Sequence, residues 1–193
     1  MQFLVIFLSY LESEKMIFFC FLALVHTDFK QDEWIVQLID VGGQRSQRKK
    51  WLMLFAGVVD VVLFVVAMSE YDQVLLEDEK VNRMQESVRV FSDICDCPYL
   101  LSSHFLLFLN KKDVFDEKIL YSPLTNCFPD YDGGNDKHSA AMYFRQKYRS
   151  QNKCDREVYC HYTNAKDTQT VKVIYQVMLD TIFLTALKGI RME

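Results

Sequence analysis

Three short stretches of this chain carry residue types that could do chemistry at a phosphate and a base. The first is Asp40-Val41-Gly42-Gly43-Gln44. An aspartate at a strand end can hold Mg²⁺, directly or through water, because Mg²⁺ takes oxygen ligands. Gly43 would let its backbone N–H approach a terminal phosphate with no side chain in the way. Gln44, just beyond, can orient an attacking water. The run continues as Arg45-Ser46-Gln47-Arg48-Lys49-Lys50-Trp51, a basic helix start ending in a tryptophan expected to be exposed. Alone, D-x-G-G fits a plain turn equally well.

The second stretch is Asn110-Lys111-Lys112-Asp113. A carboxylate such as Asp113 can accept both the ring N–H and the exocyclic amine of guanine, a donor pair that adenine lacks. Asn110 can bond the purine edge, and the alkyl stem of Lys111 can lie over the ring. The third is Thr163-Asn164-Ala165-Lys166, where the small Ala165 can offer its backbone N–H to the guanine carbonyl. By itself the third stretch is uninformative, and the second also suits a polar strand end.

These loops need strands to hold them, and hydrophobic periodicity supplies strands alternating with helices. Phe3–Leu8 reads as a buried strand and Glu12–Val25 as a helix. Trp34–Ile39 reads as a strand that runs into Asp40. Val58–Met68 is almost continuously apolar, as expected of a strand covered on both faces. Val81, Met84, Val88, Phe91 and Ile94 recur at helical spacing behind Glu77-Asp78-Glu79, which predicts an amphipathic helix with carboxylates at its positive end. Phe105–Leu109 is a second buried strand. Tyr121–Gly134, with Pro123, Pro129 and two glycines, reads as a loop. Lys137–Ser150 is a helix with Ala141, Phe144 and Tyr148 inward, and Glu157–Tyr162 a strand. Asp167 or Thr168 can cap a last helix whose inner face is Val171, Ile174, Val177, Met178 and Ile182. The pattern is that of an α/β domain with a mainly parallel sheet. Ligands in such sheets bind at the C-terminal strand ends, where all three stretches fall.

Composition is ordinary for a globular domain: 193 residues, 50% hydrophobic, 25% charged. A net charge of −4 gives no nucleic-acid footprint. Six cysteines and four histidines show no zinc spacing, so free thiols in a reducing compartment are expected. The apolar runs Phe3–Leu8 and Met16–Val25 are each shorter than the ~20 residues a spanning helix needs, and no signal-peptide pattern follows them. A soluble, cytoplasmic chain is expected.

Together, in this order and each followed by a helix, the three stretches make the sequence resemble the α subunits of heterotrimeric G proteins. The resemblance extends through DVGGQRSQRKKW, SEYDQVLLEDEKVNRMQES, FLNKKD, SPLTNCFP and EVYCHYT, about residues 26–188, in wording similar to the inhibitory and other class. It implies a three-layer, Ras-like fold of the P-loop-NTPase type over 26–193, with the family's helical domain missing. It also implies binding of GTP and GDP with Mg²⁺, and Mg-dependent GTP hydrolysis downstream of G-protein-coupled receptors. By position, Asp40 would serve Mg²⁺, Gly43 the γ-phosphate, and Gln44 the hydrolytic water. Asp40 to Gln44, Asn110, Lys111, Lys112, Asp113 and Ala165 would line the nucleotide. Arg48, Lys49, Lys50 and Trp51 would form the second switch, which in the family meets the βγ dimer and effectors, and the final helix would face a receptor. Membrane association would then be peripheral, through partners, at the cytoplasmic face.

The sequence departs from the family at its start. No glycine precedes Gly42, so G-x-x-x-x-G-K-[ST] does not occur there. Residues 1–25 form a divergent segment. Within it Ser9–Met16 can be laid over the family's GAGESGKS, matching at Glu12, Ser13 and Lys15, or the whole can be an unrelated extension. No arginine precedes Arg45, so the first-switch arginine is not in these residues either. Such arginines are worth 10³–10⁵ in rate, roughly 4–7 kcal/mol. Lys166 stands where relatives often have threonine, and Ile190 where the inhibitory class has a cysteine. Whether the chain is an enzyme is therefore open. The alternatives are a catalytically dead decoy for βγ or an effector, and a non-functional truncated gene product.

Overall fold

The computed structural model describes residues 3–12, 25–31, 34–41, 51, 59–164, 176–177 and 180. Strand-forming runs appear as β1 (Phe3–Glu12), β2 (Val25–Gln31), β3 (Trp34–Val41), β4 (Val61–Ala67), β5 (His104–Asn110) and β6 (Val158–Tyr162). The helices among the described residues are α1 (Arg83–Cys95), α2 (Lys112–Lys118) and α3 (Lys137–Arg149), with short 3-10 turns at Met68–Glu70, Pro98–Leu100 and Leu124–Asn126.

The six strands form one sheet in the order β2-β3-β1-β4-β5-β6. β4, β5 and β6 pair in parallel, with Ala67 opposite Asn110 and Leu109 opposite Tyr162. β1 is antiparallel to both β3 and β4, and β2 is antiparallel to β3. Hence β3 to β6 point one way, β1 and β2 the other, and the domain is α/β as expected. The direction of β1 has a consequence at the N-terminus. Ser9 pairs with Gln37 and Glu12 with Trp34, so the stretch beginning at Ser9 runs from mid-strand toward the end of β3 remote from Asp40. The expected helix over Glu12–Val25 lies mostly outside the described residues, and its two end residues belong to β1 and β2.

Alternation along the strands explains the core. Val62, Phe64 and Val66 of β4 and Phe105, Leu107 and Leu109 of β5 join one cluster with the inner faces of α1 and α3. The other parity, Val61, Leu63, Leu106 and Phe108, is also buried, so these strands are covered on both faces. That is why they read as unbroken apolar runs. Aromatic edges lock the layer together: Phe91 meets Phe64 at 5.0 Å and Tyr148 at 5.4 Å, while Phe144 meets Phe115 at 5.3 Å and Phe128 at 5.8 Å. Fully buried Tyr148 donates its hydroxyl to Ser87 Oγ at 2.8 Å, and burial holds its phenol above the usual range.

The start of α1 differs from expectation. Asn82 caps it, accepting from the Met84 and Gln85 amides at 2.8 and 3.1 Å. Glu77, Asp78 and Glu79 lie ahead of the helix, in a loop closed by Leu75 N–H to Val81 O at 2.9 Å and Val81 N–H to Asp78 O at 3.0 Å. A side chain that caps two amides outweighs the diffuse attraction of carboxylates for the helix start. The last helix lies outside the described residues except for Gln176, Val177 and Asp180, which are helical; Gln176 Nε2 donates to Asp180 Oδ1 at 2.8 Å. Among the described residues no helix is long and apolar enough to cross a membrane, and Cys95, Cys97, Cys127, Cys154 and Cys160 are free thiols.

Two measurements test this core. Phe144→Ala should cost about 3–5 kcal/mol in urea unfolding, and Tyr148→Phe about 1–2 kcal/mol, because Ser87 loses a buried partner. The second concerns His161 on β6, whose ring lies 5.8 Å from that of Phe108. Burial, with the Arg145 guanidinium adding repulsion, holds its imidazole below the usual value of 6.5. Only the unfolded chain takes up the proton first, so the stability His161 contributes is complete above about pH 6.5. It falls as pH drops through that value and levels off below the folded-state value. Urea midpoints between pH 7.5 and 5 should trace that decline, and His161→Gln should flatten it.

Candidate functional site

β5 passes into α2 through a single residue, Lys111, at φ 57° and ψ 38°. It is the one non-glycine residue with positive φ among the described residues. A left-handed conformation costs a side-chain-bearing residue roughly 1–2 kcal/mol, so something must hold it. Three contacts surround the turn. The Phe115 amide donates to Lys111 O at 3.0 Å, the Lys112 amide to Thr163 O at 3.3 Å, and Lys111 Nζ bonds Glu70 Oε1 at 2.9 Å. The abrupt reversal places Asn110 at the strand end and Asp113 in the first turn of α2, both partly exposed.

The end of β6 is stitched to this turn. The Thr163 amide donates to Leu109 O at 2.9 Å, and Thr163 Oγ1 bonds Asn110 Oδ1 at 3.3 Å. Thr163 is itself buried. The second stretch and Thr163 of the third are thus bonded together, with Asn164 next in the chain. Among the described residues the Asp113 carboxylate has no hydrogen-bond or ion-pair partner. An acceptor-only group at the mouth of a polar rim suits a ligand carrying paired N–H donors, which guanine is.

A third loop joins them. The 3-10 turn Met68–Glu70 follows β4, and Glu70 is 7% exposed. Its second carboxylate oxygen accepts from Arg83 Nη1 at 3.0 Å, at the start of α1. Lys118 of α2 reaches back to Ser69 O at 2.9 Å and to Asp72, and the Asn82 amide group donates to Tyr71 O at 2.6 Å. Sequence reading passed over Glu70, Arg83 and the Thr163 hydroxyl. The signal available for Glu70 was a charged residue three positions beyond the apolar run of β4.

The first stretch is placed in part. Asp40 and Val41 end β3, on the same rim by strand direction. Asp40 lies level with Ile6, Ile6 with Leu63, and Leu63 with Leu106, so Asn110 stands four residues further along. That is about 13 Å along the strands, and three interstrand steps add about 14 Å across them. Asp40 is therefore separated from the turn Asn110–Asp113 along and across the sheet. Gly42, Gly43, Gln44, Arg48, Lys49, Lys50 and Ala165 lie outside the described residues. Among the described residues no group of three or more candidate ligands could hold a metal ion. Mg²⁺ at nucleotide sites is usually held by one or two carboxylates together with substrate phosphates and water.

Trp51 corrects an expectation. It is helical but only 5% exposed, in the same cluster as Ile39 and Val59. An indole carries far more apolar surface than polar, and burying it against Ile39 and Val59 removes that surface from water.

Comparison with known proteins is decisive about kinship. The family model described as G-protein alpha subunit matches residues 9–182. The chain belongs to the G-protein α-subunit family. It is 47% identical over 166 residues to the guanine nucleotide-binding protein G(o) subunit alpha of Caenorhabditis elegans, and equally so to that of Locusta migratoria. The Lymnaea stagnalis protein is 46% identical over the same length. Each match covers 86% of this chain and 46% of the relative, so the chain spans under half the length of these curated relatives. The family match begins at Ser9, where the overlay on GAGESGKS begins, although β1 carries that stretch away from the rim that holds Asn110. For this G-protein α-type chain, Trp51→Ala should behave as a core truncation. It should lose about 3–5 kcal/mol in denaturant unfolding, and native Trp51 should resist acrylamide quenching.

Proposed function

We propose that this chain is the guanine-recognising part of an α-subunit-type signal transducer, binding GTP and GDP through Asn110, Lys111, Asp113 and the Ala165 amide. The observation that carries the reading is the left-handed turn at Lys111, clamped by Thr163 and Glu70, which sets Asn110 and a carboxylate without a described partner at one rim. Asp40 would hold Mg²⁺ through water, Val41, Gly42 and Gly43 would face the phosphates, and Gln44 would orient the water of hydrolysis. Lys112, whose ammonium is paired with Asp116 at 2.5 Å, would line the entrance rather than touch the base. Its partners would be the βγ dimer, a G-protein-coupled receptor and effectors, at the cytoplasmic face of the membrane.

The base specificity has a sharp chemical test. Asp113 accepts two N–H groups of guanine. An asparagine there offers an N–H₂ that repels the guanine amine and suits the 2-carbonyl of xanthine. Hydrogen bonds to a charged group are worth about 1.5–3 kcal/mol each. Asp113→Asn should therefore weaken GDP at least about tenfold while improving xanthosine diphosphate, read by competition calorimetry with Mg²⁺. Equal binding of guanine and xanthine nucleotides by both proteins would sink the reading.

A second reading draws on the other end of the sheet. The base-facing turn is assembled, but Ser9–Glu12 runs away from it, and no G-x-x-x-x-G-K-[ST] occurs in these 193 residues. A module that engages βγ or an effector through Arg48, Lys49 and Lys50 without hydrolysing GTP accounts for both. Its test is βγ capture with Lys49→Glu/Lys50→Glu, since Trp51→Ala would damage the core. Capture that ignores the charge reversal would count against it.

A further inference from the structure

Glu70 is the unassigned charge in this part of the molecule. Its side chain is 9% exposed, yet it carries a carboxylate, and both oxygens are spoken for by cations from different loops. Oε1 takes Lys111 Nζ at 2.9 Å and Oε2 takes Arg83 Nη1 at 3.0 Å. A buried carboxylate is costly unless paired and hydrogen-bonded, so both cations are drawn toward it. Arg83 makes a second bond, from Nε to Val74 O at 2.8 Å, and its amide donates to Gln73 O at 2.8 Å. Through this one guanidinium the start of α1 and the acidic loop 74–82 are fixed to the turn after β4. Lys111, on the other side, is the residue whose backbone bears the left-handed strain.

We propose that Glu70 is the positioning residue of the turn Asn110–Asp113, holding Lys111 in place and coupling that turn to the start of α1. The inference rests on the reading of this turn as the guanine-facing element, but its first test needs no nucleotide. Without the carboxylate the lysine ammonium loses its bond to Glu70, the strained backbone relaxes more often, and Asn110 and Asp113 lose part of their common alignment. Glu70 would not touch the base. It would act through Lys111 on one side and Arg83 on the other.

The test is amide exchange on the full chain, followed by nucleotide competition. In Glu70→Gln the amides of Lys112 and Phe115, bonded to Thr163 O and Lys111 O, should exchange about three- to tenfold faster, while amides in β4 and β6 keep their rates. Lys111→Met should give the same local pattern, and the double variant should add little to either single change. Arg83→Gln should loosen the 74–82 loop and, through the shared carboxylate, speed Lys112 exchange by a smaller factor than Glu70→Gln does, and an unchanged Lys112 rate there would overturn the coupling. Unchanged rates at Lys112 and Phe115 would overturn the proposal, and so would uniform acceleration across the chain, the mark of a general stability loss. In competition, Glu70→Gln should weaken GDP by a similar factor and leave ADP where it was. Wild-type protein that takes GDP and ADP alike would remove the guanine reading alone, because the exchange result stands without it.

Discussion

Parallel pairing of β4, β5 and β6 is the constraint on which the described part of this molecule depends. Parallel neighbours cannot be joined by a tight turn, so each needs a crossover that carries the chain back over a face of the sheet. The crossovers here contain α1 and α3, which pack on Val62, Phe64, Val66, Phe105, Leu107 and Leu109, while Val61, Leu63, Leu106 and Phe108 are buried on the opposite face. The same constraint sends the C-terminal ends of β4, β5 and β6 to one rim. Glu70, Asn110 and Thr163 stand within reach of one another because of strand direction, not because they are near in sequence.

At that rim the structure replaces loop length with polar bonds. The β5–α2 junction is one residue long, and the turn after β4 is bonded to α1 through Asn82 and Arg83 and to α2 through Lys118. Short connections held this way leave little freedom for the groups they carry. Preorganisation of this kind is what recognition of a planar, multiply hydrogen-bonding base requires, since misplacement of one donor leaves a desolvated acceptor behind. Burial continues the theme along β6, where Cys160 is pushed up to about 11 and His161 held below its ordinary value.

Kinship and chemistry diverge at the N-terminal side. The family match reaches back to Ser9, and β1 occupies the central place between β3 and β4. Its direction, however, moves the Ser9–Glu12 stretch to the far end of β3. The part of the rim that carries Glu70, Asn110 and Thr163 is built from the ends of β4, β5 and β6 and is unaffected by that reversal.

Much of this was legible in the residues. Unbroken apolar runs gave β4 and β5, because a strand covered on both faces needs no polar parity. Helical spacing gave the inner faces of α1 and α3, because Met84, Val88, Phe91 and Ile94, like Ala141, Phe144 and Tyr148, recur on one side of a 3.6-residue turn. The order of three polar motifs gave the family and the expected base-facing residues. Four things required the tertiary structure. Strand direction is invisible in Phe3–Leu8, since an apolar run reads the same under reversal. Trp51 looked exposed beside three cations, but which side of a helix turns inward is set by what it packs on. The acidic run 77–79 looked like a helix start until Asn82 supplied a better cap. The pairing of Glu70 with both Lys111 and Arg83 spans 41 and 13 residues of chain. A charge and its partner at such separations are brought together only when folding has closed the sheet.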